Sequence, residues 1–359
     1  MDYQERLQKL RRESTGIDCL FFVPGVNLYY LTGLKVSGSE RLFLFGVLPS
    51  ARTFMIAPSF EIGRFRSTIE LDTVFSYRDD QGPLSAIKQA LKRYSIKKIG
   101  VEFKYMKLWE LEWLKQAVPK LQIIDLSDTI KKLRIRKCPE EIRQLRKSAY
   151  IADRAMAQAR NEIRPGVTES RIEGVISEVV KSRRADGFAA VASGPRTALP
   201  HARTTDRIIR EGDLVWIDLV VYYNSYVADI TRTFFVGRPD PQLLEVYKTV
   251  MIAQRRARTK TVPGMTAGEV DTLARSYIDQ QGYRDYFIHR TGHGIGLEVH
   301  EEPYIVENNL VKLEQGMAFT IEPGIYLPDR GGVRIEDSVV VTEEGVESLT
   351  KFSRGINII

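Results

Sequence analysis

The chain's 359 residues exceed the usual size of one domain, and 43% hydrophobic with 28% charged residues is an ordinary globular balance, which excludes a disordered or low-complexity protein. No run approaches the roughly 18 apolar residues of a membrane span, and the charged opening MDYQERLQKLRREST offers no signal or transit peptide, so a cytoplasmic protein without a membrane partner is expected. The net charge of +7 raises nucleic-acid binding, but the basic runs at 131–137 and 255–260 accompany no RNA-binding, zinc-finger or helix-turn-helix signature; a solvated helix face or linker explains them, and no nucleic-acid partner is expected.

Within residues 1–131, strand-like runs (CLFFV at 19–23, RLFLFGVL at 41–48, TFMIA at 53–57, KIGVE at 98–102) alternate with helical patterns (PLSAIKQALKRY, KLWELEWLKQAV). This alternation predicts an α/β domain. It contains no histidine, so its part in any chemistry is indirect. Cys19 and Cys138, far apart and without CxxC spacing, argue against a disulfide or thiolate-metal framework.

Near residue 132 the pattern changes. LRIRKCPEEIRQLRKSAYIADRAMAQA puts Pro139 at a helix start and Glu140 and Glu141 in its first turn, so a second domain is expected over 132–359. An internal echo runs through it. Pro165-Gly166-Val167-Thr168-Glu169 opens one amphipathic helix, and Pro263-Gly264-Met265-Thr266 with Glu269 opens another 98 positions later, each Thr placed as an N-cap. Strand-rich sequence follows each: DLVWIDLVVYY with NSYVADITRTFFVG, then MAFTIEPGIYL with GVRIEDSVVVT, turning at Asn224-Ser225 and at 329–332. Two hairpins, one per half, are expected to face each other.

Each hairpin carries two acids in apolar runs: Asp218 and Asp229, 11 apart, then Glu322 and Glu336, 14 apart. A carboxylate inside VWIDLVV does not stay ionised without a compensating cation. Taken singly, each acid is explained by a nearby arginine or a turn. Together, Arg232, Arg290 and Arg334 would neutralise them less economically than divalent ions bridged by carboxylates.

All four histidines, His201, His289, His293 and His300, fall in the second domain. His293 sits in TGHGIGLEVHEEP, where Gly292, Gly294 and Gly296 permit tight curvature and close approach of a ligand. That run lacks GxGxxG order and a Walker lysine, so nucleotide binding is not expected. One imidazole with four carboxylates and no thiolate suits Mn, Co, Fe or Zn better than a structural zinc site.

The segments SGPRTALPH, GDLVWIDLVVYYNSYVADITRTF, HRTGHGIGLEVHEEP, FTIEPGIY and GGVRIEDSV closely resemble the pita-bread metallopeptidases, in the proline-peptidase branch of aminopeptidase P and prolidase. NLYYLTG and the junction LRIRKCPEEIRQLRK extend the resemblance over most of the chain. It implies a creatinase-like α/β N-terminal domain followed by an α+β pita-bread catalytic domain with an internal pseudo-twofold repeat. It also implies two divalent ions, Mn or Co first and Zn or Fe next. One ion falls to Asp229, His293, Glu322 and Glu336, the other to Asp218, Asp229 and Glu336, with Asp229 and Glu336 bridging. Such ions lower the pKa of water and polarise the scissile carbonyl.

The resemblance further makes Glu322 the group that relays the proton to the leaving nitrogen, with His201, His289 and His300 around the substrate. Arg334 would hold a carboxylate in place. The substrates implied are proline-containing peptides or dipeptides, and the assembly a homodimer or homotetramer formed through the first domain. Tyr286, Phe287 and Tyr304 are expected to line the proline pocket. Some prolidases carry an arginine four residues after the second loop histidine; here that position is Tyr304, which tilts the expectation toward an Xaa-Pro aminopeptidase over a dipeptidase. A methionine aminopeptidase usually lacks such an N-terminal domain, creatinase lacks the intact donor set, and a non-catalytic binding module of the same fold would be expected to lose donors.

Overall fold

The computed structural model describes residues 2–66, 69 and 71–359. The chain forms two compact units, Met1–Arg134 and Ile135–Ile359. The division thus falls inside a helix, three residues beyond the position expected from sequence. Arg134 stays with the first unit, where its guanidinium donates to Asn27 Oδ1 at 2.7 Å.

In the first unit, elements follow in the order α1 (Tyr3–Arg12), β1 (Cys19–Phe22), α2 (Val26–Thr32), β2 (Leu44–Val47), β3 (Thr53–Pro58), α3 (Ile62–Arg66), β4 (Thr73–Tyr77), α4 (Leu84–Arg93), β5 (Lys98–Val101), α5 (Leu108–Ala117), β6 (Gln122–Asp125) and α6 (Ser127–Ile135). The strands make one mixed sheet, β4-β3-β2-β1-β5-β6. Phe21, Leu44, Phe54, Ile87 and Leu114 are among the side chains sealed between sheet and helices.

The second unit begins with α7 (Pro139–Glu162) and α8 (Glu169–Ser182), then β7 (Asp186–Ser193), β8 (Leu214–Tyr223) and β9 (Tyr226–Phe235). Pro139 opens α7, and Glu141 accepts from the Cys138 N–H at 2.9 Å. Thr168 caps α8 through the Arg171 N–H. The second half repeats the plan with α9 (Pro241–Lys260), α10 (Ala267–Gln280), β10 (Gly292–Gly294), β11 (Glu301–Ile305), β12 (Ala318–Ile321), β13 (Gly324–Leu327), β14 (Gly331–Arg334), β15 (Asp337–Val341), β16 (Val346–Ser348) and β17 (Asn357–Ile358). Thr266 caps α10, accepting from Glu269. Two cores match the two halves. Ile151, Ile172, Ile217 and Ile230 join α7 and α8 to the first hairpin; Val250, Val270, Phe319 and Val339 join α9 and α10 to the second. Among the described residues no helix is long and apolar enough to cross a membrane.

The hairpins differ in one respect that the sequence reading did not anticipate. β8 and β9 pair without interruption around Asn224 and Ser225, both in the left-handed region that a two-residue turn of this twist requires. The second hairpin is broken. β12 pairs β15 up to Ile321 opposite Asp337, and β13 pairs β14 from Gly324 opposite Arg334, in separate sheets. Pro323, which has no N–H to give a ladder, lies in the interruption with Glu322 on one strand and Glu336 on the other.

Side-chain and backbone hydrogen bonds join the halves along β9. Glu336 N donates to Thr231 O at 3.1 Å, Asp229 N to Ser338 Oγ at 2.9 Å, and Thr233 Oγ1 to Arg334 O at 2.9 Å. On the reverse face of β9, Arg232 is fully enclosed and pairs with Asp337 at 2.7 Å, which also accepts from Arg354 and Gln254. Arg232 therefore serves Asp337 and is not a counter-ion for the four acids.

Candidate metal centre

Asp218 stands opposite Thr231 on the paired strand, and Asp229 opposite Val220. Because side chains alternate across a strand, Asp218, Val220, Asp229 and Thr231 share one face. Glu322 and Glu336 enter the same space from the interrupted second hairpin, and His293 from β10. Asp229, His293 and Glu336, all buried, each bring one donor atom within 4.8 Å of the others. Glu322 Oε1 lies 3.2 Å from His293 Nε2. Asp218, more open to the cleft, is held by Arg334 at 2.6 Å.

The electrostatics of this group are set by burial and by the mutual repulsion of its carboxylates. Burial, then the charges of Asp218 and Glu322, push the Asp229 carboxyl well above its ordinary range. Burial and the charges of Asp229, Glu322 and Asp218 do the same to Glu336. Burial also opposes ionisation of Glu322, but the hydrogen bond and charge of His293 outweigh it and hold that carboxyl at about 2. Asp229 Oδ1 is enclosed with no hydrogen-bond partner among the described residues. His293 Nδ1 lies 3.2 Å from the Gly294 carbonyl; if it carries the ring proton, Nε2 turns a lone pair toward a carboxylate oxygen. A metal between this nitrogen and the carboxylates would take the position of the proton that otherwise joins His293 to Glu322. An enclosed, partnerless carboxylate oxygen beside a nitrogen donor, with no thiolate, fits divalent Mn, Co, Fe or Zn.

Supporting hydroxyls aim the donors. Thr231 Oγ1 donates to Glu336 Oε2 at 2.7 Å, and Thr320 Oγ1 to Glu322 Oε1 at 3.1 Å while accepting from the His293 N–H. All three guanidinium nitrogens of Arg334 donate here: to Asp218, to the Tyr326 hydroxyl at 2.7 Å, to the Pro200 carbonyl at 3.1 Å and to Thr231 Oγ1 at 3.1 Å. Its partner Asp218 belongs to the other hairpin. Glu336 lies beyond the end of β14 and meets Arg334 at the Thr231 hydroxyl, which both bond.

His201, His289 and His300 all line the same cleft, whose volume is about 870 Å³. The His300 ring meets the His293 ring edge-on at 4.3 Å between centroids; desolvation, then His293 and Arg290, lower its pKa. The His289 ring is engaged on both sides, with Nδ1 2.8 Å from the Arg290 carbonyl and Nε2 3.0 Å from the Tyr326 hydroxyl. An Nδ1–H tautomer therefore accepts from Tyr326, which in turn accepts from Arg334.

Two local expectations are corrected. A Cβ on Gly292 would collide with the Thr320 carbonyl, and one on Gly294 with the Glu302 carbonyl, so these glycines admit neighbouring backbone and not a ligand. Tyr286, Phe287 and Tyr304 are not among the lining residues; the apolar wall comes from Phe188, Ala190, Val220 and Val299. Phe287 is buried instead beneath the guanidinium of Arg275.

One functional support escaped the sequence reading. Glu169, fully buried at the start of α8, accepts from the Ser193 N–H and hydroxyl, the Thr205 N–H and hydroxyl, and Arg196. It ties down both ends of the loop that carries His201. A solitary acid in a first helical turn has a generic helix-dipole explanation, so only its burial distinguishes it.

Comparison with known proteins fits this centre. Residues 143–343 match metallopeptidase family M24, and residues 5–136 match the creatinase/prolidase N-terminal domain. The chain belongs to metallopeptidase family M24, with the pita-bread fold and the proline-peptidase affinity that the sequence suggested. It is 39% identical to the Xaa-Pro dipeptidase of Pyrococcus furiosus, over 98% of this chain and 99% of that one. A dipeptidase structure from Pyrococcus horikoshii OT3 superposes with a TM-score of 0.92 at 36% identity, all of both chains covered. An X-Pro aminopeptidase structure from Thermotoga maritima MSB8 does so with a TM-score of 0.88 at 32% identity, also over both whole chains.

Proposed function

We propose that this metallopeptidase is a dinuclear Xaa-Pro dipeptidase that releases proline from dipeptides. The observation that carries the reading is the end-to-end 39% identity with the Pyrococcus furiosus enzyme of that activity. The buried donor set supplies matching chemistry. Xaa-Pro aminopeptidase, toward which Tyr304 tilts the sequence, is the second reading; the likeness to the Thermotoga maritima enzyme favours it.

Asp229, His293, Glu322 and Glu336 would hold one ion and Asp218, Asp229 and Glu336 the other, with Mn or Co ahead of Zn or Fe. When bound, the ions supply Lewis acidity, polarising the scissile carbonyl and making water a nucleophile near neutral pH. Glu322 takes the proton from the attacking water and delivers it to the proline nitrogen as that nitrogen leaves. His201 and His300, on the cleft wall, hydrogen-bond the substrate and the developing oxyanion. His289 acts one step back, fixing Tyr326 and through it Arg334, which keeps Asp218 aimed. Proline offers no N–H and a rigid ring, and the wall of Phe188, Ala190, Val220 and Val299 gives that ring an apolar seat.

The test is release of free amino acid from Gly-Pro, from a longer Xaa-Pro-peptide and from a Met-initiated peptide, with Mn or Co restored after chelation. Preferred turnover of Gly-Pro supports the dipeptidase; preference for the longer Xaa-Pro-peptide replaces it with the aminopeptidase. No metal-dependent turnover on any substrate overturns both. Self-association as a homodimer or homotetramer belongs to the same reading. It rests on the family resemblance, and sedimentation velocity tests it.

A further inference from the structure

The cleft wall carries a cation that the metal centre does not use. Arg334 is committed to four partners, and Arg203 is exposed. Arg290 lines the cleft, is partly buried, and lies with its guanidinium carbon 4.5 Å from the centroid of the Tyr304 ring. Among the described residues its guanidinium has neither a carboxylate nor a hydrogen-bond partner. A guanidinium lying over an aromatic face is oriented by the ring while its N–H edges remain available, the form that binds a carboxylate bidentately.

Tyr304 thus stands as a platform and Arg290 as the charge above it. Neighbouring groups agree with that placement: Arg290 follows His289 in sequence, and both line the cleft together with His300. A cation left without a protein partner beside a cluster of acids suits a ligand bearing its own anion at one end and a scissile bond at the other.

The geometry points to Arg290, stacked on Tyr304, as the residue that binds the free α-carboxylate of a dipeptide substrate and so restricts the enzyme to short substrates. The inference deepens the dipeptidase reading and rests on it.

Steady-state kinetics on Gly-Pro and on Gly-Pro-amide, using the metal-loaded full chain, test it with Arg290→Ala, Arg290→Lys and Tyr304→Leu. In the parent enzyme, amidation raises KM. Arg290→Ala raises KM for Gly-Pro by roughly 10- to 100-fold, the range lost with a charge-assisted hydrogen bond, with kcat changing less than about threefold. In that variant the amidation penalty disappears. Arg290→Lys restores part of the KM, and Tyr304→Leu gives a smaller loss of the same kind. An unchanged KM for Gly-Pro in Arg290→Ala, or equal losses on both substrates, overturns the inference. Parent enzyme that cleaves the acid and the amide equally well also overturns it while leaving the peptidase reading intact. Parent enzyme that cleaves neither, with metal bound, removes that reading and the inference together.

Discussion

Arg334 and Asp218 form an ion pair of 2.6 Å between the two hairpins, with the arginine side chain 3% exposed and the aspartate 31%. The pair joins the donor most open to the cleft to a buried cation held by three further partners. Replacing Arg334 with Lys keeps the charge but loses the fork and the stack over Trp216. We expect Arg334→Lys to bind less than the full complement of metal, measured by inductively coupled plasma spectrometry, and to lose roughly 10- to 100-fold in kcat/KM. Full metal content with full activity would contradict the aiming role.

Raised carboxyl groups at Asp229 and Glu336 make metal binding and protonation alternatives. In the metal-free folded protein these groups keep protons that the unfolded chain releases above the ordinary carboxyl value of about 4. The folded state then binds more protons than the unfolded one, so metal-free stability falls as pH rises from about 4 toward neutrality. Metal-loaded protein escapes that fall. Thermal unfolding at several pH values, with and without Mn, measures both slopes. Calorimetric titration with Mn in buffers of different ionisation enthalpy should report proton release, and zero release would remove the argument.

Glu169 gathers five hydrogen bonds in full burial. Glu169→Gln replaces two acceptor oxygens with one and introduces two donors facing N–H groups and an arginine. A destabilisation of about 2–3 kcal/mol is expected, with faster amide exchange over 194–205 and a several-fold weaker kcat/KM through the displaced His201. Unaltered exchange in that loop would show that Glu169 does not hold it.

The two thiols should differ by burial alone. Cys138 is exposed, whereas Cys19 is sealed in the first unit's core and burial pushes its thiol pKa up. A disulfide-exchange reagent should titrate one thiol rapidly in the native protein and the second only in denaturant. Rapid reaction of both would contradict the packing around β1.

Much of the centre could be read from sequence because an acid in an apolar strand has few innocent explanations. Asp218 and Asp229 share a face for reasons contained in strand alternation and a two-residue turn. Glu322 and Glu336 were visible for the same reason, but the interruption between them was not: Pro323 marks a break without saying how the flanking strands re-pair. In the first unit, β4 and β6 passed unnoticed, the latter mostly exposed and only four residues long. The glycines around His293 looked like ligand-facing residues because close approach by a strand and by a substrate leave the same sequence signature. Arg290 was visible only as one of three possible counter-ions, since nothing in the local sequence reveals that its neighbour in space is Tyr304.

The interruption of the second hairpin has a consequence for direction. Two identical hairpins facing each other would offer a bound chain the same surroundings read forwards or backwards. Breaking one of them at Glu322 and Pro323, opposite Ile335 and Glu336, abolishes that equivalence and gives the groove a head and a tail. An enzyme that trims from one terminus has to tell the ends of its substrate apart, and here that asymmetry is already present in the backbone, ahead of any side chain that reads the substrate.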